Sequence, residues 1–322
     1  MKDLLRVVDL SRPGLARLLN IAAAAKRDPH TWREVYLGDT VACAFEQPRT
    51  RARLSFGSAI TRLGGIAEVL GPLEFGLGSD ELIEDTARAV SRYAAAFVIG
   101  TAADADVRRL AAAATIPVVN AQSDMHNPCQ ALADLLTLQE RFGVLPGLKV
   151  AYVGPANSVA HSLMEGCALA GIEFAIATPP GYEPDAEVVL TAQRVARDNS
   201  AHVEVVNDPG RAVERADAVY TGAWRAAGMS EAERVARARA LAPYRVDAAL
   251  MAGAAPHAIF MHRLPAHRDD EVAAEVIDGS RSVVFDQAEN RVYTDLAVLV
   301  GLRNGSIAGE TEDAARAIWS VA

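Results

Sequence analysis

The chain has 322 residues, 51% of them hydrophobic and 23% charged, enough to bury a large core and, by length, to form two domains. A net charge of −9 argues against nucleic acid as the main partner, because such binding rests on neutralising phosphates; a local basic pocket for a small anion stays compatible with it. Cys43, Cys129 and Cys167 have no paired spacing for zinc or disulfides and read as reduced, cytosolic thiols, and neither a signal peptide nor a membrane-spanning run is expected.

In chain order, residues 10–27 carry Leu15, Leu18, Leu19 and Ile21 at helical spacing, opened by Ser11-Arg12-Pro13. The apolar run 40–45 predicts a buried strand. Pro48 breaks it and suits the first turn of a helix, which Leu54, Ile60 and Leu63 continue until Gly64-Gly65. Arg49, Arg51 and Arg53 thus fall in or beside the first turn, where backbone N–H groups and the helix dipole also favour an anion. The competing reading is an exposed helix whose arginines face water. Arginines two residues apart cannot all share one helix face, so some must be structural partners.

Further strands are predicted at 65–70, 94–99 and 116–119, with helices at 82–93 and 107–114 and a glycine-bearing loop at 74–80. Asn127 and Pro128 suit the N-cap and first position of a helix that continues over 131–142, and Pro146-Gly147 marks a domain boundary. Beyond it, strands are predicted at 148–153, 173–177, 202–206, 218–220, 258–261 and 282–285. Helices are predicted from 159 and over 186–198, 231–241, 270–277, 290–301 and 310–321. The turn after 153 lacks G-x-G-x-x-G spacing, so dinucleotide binding has little support. Alternating strands and helices predict an α/β fold of two doubly wound domains with parallel central sheets, ligands collecting at the carboxyl ends of strands.

Four stretches occur in order: Phe45-Glu46-Gln47-Pro48-Arg49-Thr50-Arg51-Ala52-Arg53-Leu54-Ser55-Phe56, Asn127-Pro128-Cys129-Gln130-Ala131-Leu132-Ala133-Asp134, Phe260-Met261-His262-Arg263-Leu264-Pro265-Ala266-His267-Arg268 and Ala288-Glu289-Asn290-Arg291. Together they resemble the aspartate/ornithine carbamoyltransferase family, most closely its ornithine branch, over essentially the whole chain. The resemblance implies a carbamoyl-phosphate-binding domain over 1–146, with a C-terminal helix (305–322) packing back on it. An acceptor-binding domain then covers 147–304. It also implies an active site between the domains, carbamoyl phosphate as donor, an amine as acceptor, no metal or organic cofactor, a cytoplasmic homotrimer, and no nucleic-acid or membrane partner.

Carried over residue by residue, Thr50, Arg51 and Arg53 match the phosphate motif and Arg291 matches a donor-site arginine, while Arg49 and Ala52 replace a serine and a threonine. The three groups that hold the donor's carbonyl oxygen in the relatives align with Ala52, Gly100 and Asn127. His126 is a substitute donor, Gln130 matches the residue on the carbamoyl nitrogen, and a glutamine lent by a neighbouring subunit falls near Gly76. On the acceptor side, an asparagine aligns with Ser158, leaving Asn157 one position early. Gly222 replaces the aspartate that holds the ammonium, in a stretch that includes Trp224. His262, Arg263 and Leu264 stand where the relatives carry His-Cys-Leu. Arg49 would reinforce the phosphate site or bind an acidic substituent, and Asn127, Gln130, His126 and Arg263 are the candidate catalytic set.

Losing one such oxyanion donor costs about 10²–10³ in rate, and losing an aspartate while gaining cations favours a more anionic ligand. The sequence therefore predicts carbamoyl or related acyl transfer to an acceptor other than ornithine. The alternatives are different chemistry on an anionic substrate, or a catalytically silent binding or assembly protein.

Overall fold

The computed structural model describes residues 2–225 and 228–305. The helix expected over 310–321 lies outside the described residues. The described residues form two compact units, one up to 136 together with 289–305, the other within 137–288.

The first unit holds a four-stranded sheet. β1 (Thr40–Phe45), β2 (Ile66–Leu70), β3 (Ala96–Gly100) and β4 (Val118–Gln122) are all parallel, in the order β2-β1-β3-β4. β1 and β3 are almost wholly buried, as their unbroken apolar runs require of central strands in a parallel sheet. Each is followed by a helix: α2 (Thr50–Arg62) after β1, α4 (Asp104–Ala113) after β3, α5 (Pro128–Phe142) after β4. α1 (Arg12–Arg27) opens on Ser11, whose Oγ accepts the Gly14 amide at 3.1 Å, and α3 (Ile83–Tyr93) precedes β3. Gly64 ends α2 at φ +79°, its Cα facing the Arg33 carbonyl so closely that a Cβ would sit 2.2 Å from that oxygen.

The second unit carries five parallel strands in the order β7-β6-β5-β8-β9, namely Val203–Val206, Glu173–Ala177, Lys149–Val153, Ala218–Thr221 and Ile259–His262. The order reverses between β5 and β8, the place where doubly wound sheets open a crevice. α6 (Ser158–Ala170) follows β5 and is buried along its whole length. α7 (Ala186–Asp198) and the short α8 (Pro209–Val213) complete the first crossovers; α9 (Glu231–Leu241), α10 (Ala248–Ala252) and α11 (Ala274–Ile277) follow. α12 (Val284–Arg303) returns the chain to the first unit.

Two predicted elements differ. Residues 282–285 read as a strand because Ser-Val-Val-Phe is β-branched and aromatic. Only Ser282 bridges Phe260, and α12 begins at Val284. The helix predicted over 270–277 shrinks to α11, because the Val272 region is drawn into bridges with Val246 and Arg268.

Gly64→Ala should destabilise the fold by about 2 kcal/mol or more, since both the positive φ and the backbone carbonyl oppose a side chain. Urea unfolding of the variant against the parent measures the loss.

Candidate active site

In the first unit Arg49, just before α2, and Arg53, within it, diverge along the carboxyl edge of the sheet. Arg49 is the N-cap residue but forms no capping bond. Its side chain instead reaches the end of β3, where Nη2 donates to the Thr101 carbonyl at 3.2 Å. Arg53 leans the other way, its Nη1 lying 3.5 Å from the Cβ position of Gly71 beyond β2. Thr50 and Arg51 stand exposed at the first turn between them. The α2 N-terminus therefore starts with no side-chain cap on its amides and with cations on both sides, an arrangement suited to a dianion.

Glu46 fixes this edge. Its amide donates to the Gly100 carbonyl at 2.9 Å. Its carboxylate accepts the Thr101 hydroxyl, and the Ala102 amide at 3.0 Å. Beside β4, Asn127 caps α5, its Oδ1 accepting the Gln130 amide at 3.4 Å. The His126 amide donates to Ser123 Oγ at 3.0 Å. Both residues are buried. Ala52 is half-buried on α2.

Gln130 and Arg291 belong to a buried network beneath. Gln130 Nε2 donates to Asp134 at 2.8 Å and its Oε1 accepts from Arg291 Nη1 at 3.1 Å. Arg291 Nε donates to Asp295 Oδ1 at 3.0 Å, and Ser55 Oγ donates to Oδ2 at 2.7 Å. An amide has two N–H groups and two lone pairs, so these bonds orient Gln130 without exhausting it. Burial pushes the Asp295 carboxyl up to about 6 against the pull of Arg291 and Ser55. Burial works most strongly against the charge of Arg291, yet Asp295, Cys129 and Asp134 together outweigh it and hold the guanidinium more firmly protonated. Sequence reasoning missed Asp134, Asp295, Ser55 and Glu46 as site supports. The first two follow Gln130 and Arg291 by four residues, a spacing that places partners on one helix face.

In the second unit, Asn157 caps α6: Oδ1 accepts the Val159 and Ala160 amides at 2.9 and 3.2 Å, and Nδ2 donates to the Tyr152 hydroxyl at 3.0 Å. Gly222 lies against the same pair, since a Cβ there would be 2.7 Å from Tyr152 Oη and 3.3 Å from Asn157 Nδ2. Burial raises the Tyr152 phenol, opposed by the Asn157 bond and the charge of half-buried Arg263. Ser158 is buried in the first turn of α6. Trp224 is buried, and its Nε1, 3.6 Å from the Cβ position of Gly154, meets no acceptor among the described residues. These groups converge at the β5/β8 switch point.

His262 is wholly buried at the end of β9. Its Nδ1 accepts the Leu264 amide at 2.8 Å, leaving Nε2 toward Glu271 Oε1 at 3.5 Å. Leu264 takes φ +57°, a left-handed conformation unusual for leucine and of the kind found at functional turns. Burial lowers the His262 pKa. Burial works to raise Glu271, but the His262 contact and the His267 amide outweigh it and hold the carboxyl below its ordinary range. His267, Asp270 and Glu271 bring metal-ligand atoms within 4.8 Å of one another; Asp270 there is paired with Arg225 Nη2 at 2.6 Å.

Two parallel-sheet α/β units, one with cations around a helix start and the other with polar groups gathered at its switch point, define a two-domain doubly wound α/β protein. A profile described as "Aspartate/ornithine carbamoyltransferase, carbamoyl-P binding domain" matches residues 2–140, and one described as "Aspartate/ornithine carbamoyltransferase, Asp/Orn binding domain" matches 146–302. The chain belongs to the aspartate/ornithine carbamoyltransferase family and is a transferase. It is 47% identical over 291 residues to an ornithine carbamoyltransferase of Acidothermus cellulolyticus, covering 90% of this chain and 93% of the relative. It is also 47% identical over 300 residues to one from Symbiobacterium thermophilum, covering 92% and 96%. The solved ornithine carbamoyltransferase of Pyrococcus furiosus superposes with a TM-score of 0.89 at 41% identity, covering 92% of this chain and 96% of that one.

These identities overturn the acceptor expected from the motif positions. Nearly half the residues are shared with ornithine carbamoyltransferases across nine-tenths of the chain, so an acceptor other than ornithine is not supported. The added cations behind that expectation are Arg49 and Arg263; Arg49 belongs to the first unit, where it donates to the Thr101 carbonyl, and the arginines beside Trp224 are engaged within the second unit. Arg225 spends its charge on Asp270, and Arg237 Nε donates to the Trp224 carbonyl at 2.6 Å while its guanidinium lies over the Tyr182 ring. An added arginine is a ligand-binding cation only where the fold leaves it unneutralised.

Asp295→Ala should cost about 3–5 kcal/mol, because it leaves Arg291 buried beside no carboxylate at that position; chemical denaturation measures it. The His262 share of stability should also fall as pH drops below about 6.5, the ordinary histidine value, because the unfolded chain then takes up a proton that buried His262 resists, while Asp295, which takes up a proton in the folded chain from about 6 downward, works in the opposite sense. His262→Asn, whose Oδ1 can accept the Leu264 amide, should flatten that part of the pH profile. The Glu271 contribution acts in the same sense but disappears only as pH falls through values under 4.5.

Proposed function

We propose that this protein is an ornithine carbamoyltransferase, transferring the carbamoyl group of carbamoyl phosphate to the side-chain amine of ornithine to give citrulline and phosphate. The observation that carries this reading is the 47% identity to ornithine carbamoyltransferases over nine-tenths of the chain. The anion-binding start of α2 supports the donor half of it.

In this reading the α2 amides, Thr50, Arg51 and Arg53 hold the phosphoryl group, while Gln130, braced by Arg291 and Asp134, orients the carbamoyl amide. Asn127 and His126 flank the carbonyl. Asn157, Ser158, Gly222, Trp224, His262, Arg263 and Leu264 shape the acceptor side. The neutral amine attacks the carbamoyl carbon, a C–N bond forms, the C–O bond to phosphate breaks, and the departing phosphate accepts the amine proton. Assembly as a trimer and a cytoplasmic location belong to the same reading. No described helix is long and apolar enough to cross a membrane.

Incubation with carbamoyl phosphate and ornithine should yield citrulline and phosphate in equal amounts. Arg51→Ala should lower kcat/KM by about 10- to 100-fold, the worth of a charged hydrogen bond. Phosphate release with no citrulline would refute ornithine as acceptor.

A further inference from the structure

Arg49 and Gly100 are built as one unit. The Arg49 side chain turns away from the helix it caps and passes directly over Gly100 to reach Thr101. A Cβ at Gly100 would lie 3.2 Å from Arg49 Cδ and 3.3 Å from its Nε, as well as 2.7 Å from Phe45 Cδ1. Gly100 is not among the glycines with positive φ, so its backbone conformation does not demand glycine. Space demands it, and part of that space is the path of the arginine.

The perch at the end of that path is rigid. Thr101 is wholly buried, its hydroxyl and the Ala102 amide are held by Glu46, and its own amide donates to the Gln122 carbonyl at 3.1 Å. The register between β3 and β4 slips at this point, Ile99 facing Asn120 but Gly100 facing Gln122. Such irregularities re-aim the chain beside functional sites.

Strand order then decides what the guanidinium faces. β3 lies between β1 and β4, so the end of β3 falls between the start of α2 and the start of α5. If phosphate sits at the first helix start and the carbamoyl group near Asn127 and Gln130 at the second, the bond joining them spans the end of β3. We infer that Arg49 reads the carbamoyl half of the donor, its planar set of donors addressing the carbonyl and bridging oxygens, and that Gly100 is the clearance it needs. The inference rests on the donor assignment proposed above and adds a specificity residue to it.

The test measures binding to the intact protein by calorimetry, with carbamoyl phosphate and inorganic phosphate as separate probes, alongside unliganded thermal midpoints. Arg49→Ala should weaken carbamoyl phosphate by about tenfold or more and inorganic phosphate by less than about threefold. Arg51→Ala should weaken both. Arg49→Lys, a point charge without the fork, should fall between parent and alanine. Gly100→Ala should produce the same selective loss in the parent but no further loss in an Arg49→Ala background, whatever it costs in unliganded stability through Phe45. Equal weakening of both probes by Arg49→Ala would make Arg49 a phosphate ligand and overturn the inference. A lowered midpoint with unchanged binding would make it a structural strut and overturn it too. Binding of neither probe to the parent would sink the donor assignment and this inference together. Selective binding without citrulline would leave this inference standing and refute ornithine as acceptor.

Discussion

Parallel strands impose the constraint on which the rest of this molecule depends. Each must be followed by a crossover, so in each unit the strand ends that lead into helices lie on one edge. In the first unit the ends of β1, β3 and β4 are consecutive in space although they are separated by tens of residues in sequence. Backbone amides, a helix dipole and three arginines therefore gather at the start of one helix.

Concentrating like charges on an edge has a cost, and the structure meets it from below. The Arg291–Asp295 pair, with Ser55 and Gln130 around it, is buried. A buried ion pair seldom stabilises more than apolar packing would. What this one supplies is orientation: it ties α2 through Ser55, α5 through Gln130 and α12 through its own backbone. The residues expected to meet the donor are thus held by partners whose positions are themselves fixed, the condition for electrostatic preorganisation.

Strands and helices with a single dominant signal were legible in the sequence. β1 reads as a buried strand because every residue from Val41 to Phe45 is apolar, and all five are buried; α2 is announced by Pro48 before it and Gly64-Gly65 after it. Residues 282–285 were not legible, because the same β-branched residues serve as a single bridge and then the first turn of a helix. α8 and α10, of five residues each, are too short to leave a periodic trace. In the site, the arginine cluster was visible but the divergence of Arg49 and Arg53 was not. Nothing near Arg49 in sequence reveals that its side chain crosses to a strand ending 51 residues later, since that contact is set by strand order. The partners Asp134 and Asp295 were within reach of simple i, i+4 reasoning, whereas Glu46 required the pairing of β1 with β3.

The same distinction explains why motif positions gave the wrong acceptor. A short motif records which residue type stands where, but a site is a set of positions in space, and two sequence positions can serve one volume. Gly100 and Arg49 make that concrete: the side chain missing from one position is lost from the motif, while the volume above it is filled from the other. Charge follows the same rule, as Arg225 and Asp270 show by pairing across two loops that follow different strands. Identity spread over the whole chain reports on the scaffold that sets those volumes. Four short stretches report only on the residues that enter them, and so whole-chain likeness weighs more in choosing the acceptor than any single substitution inside a motif.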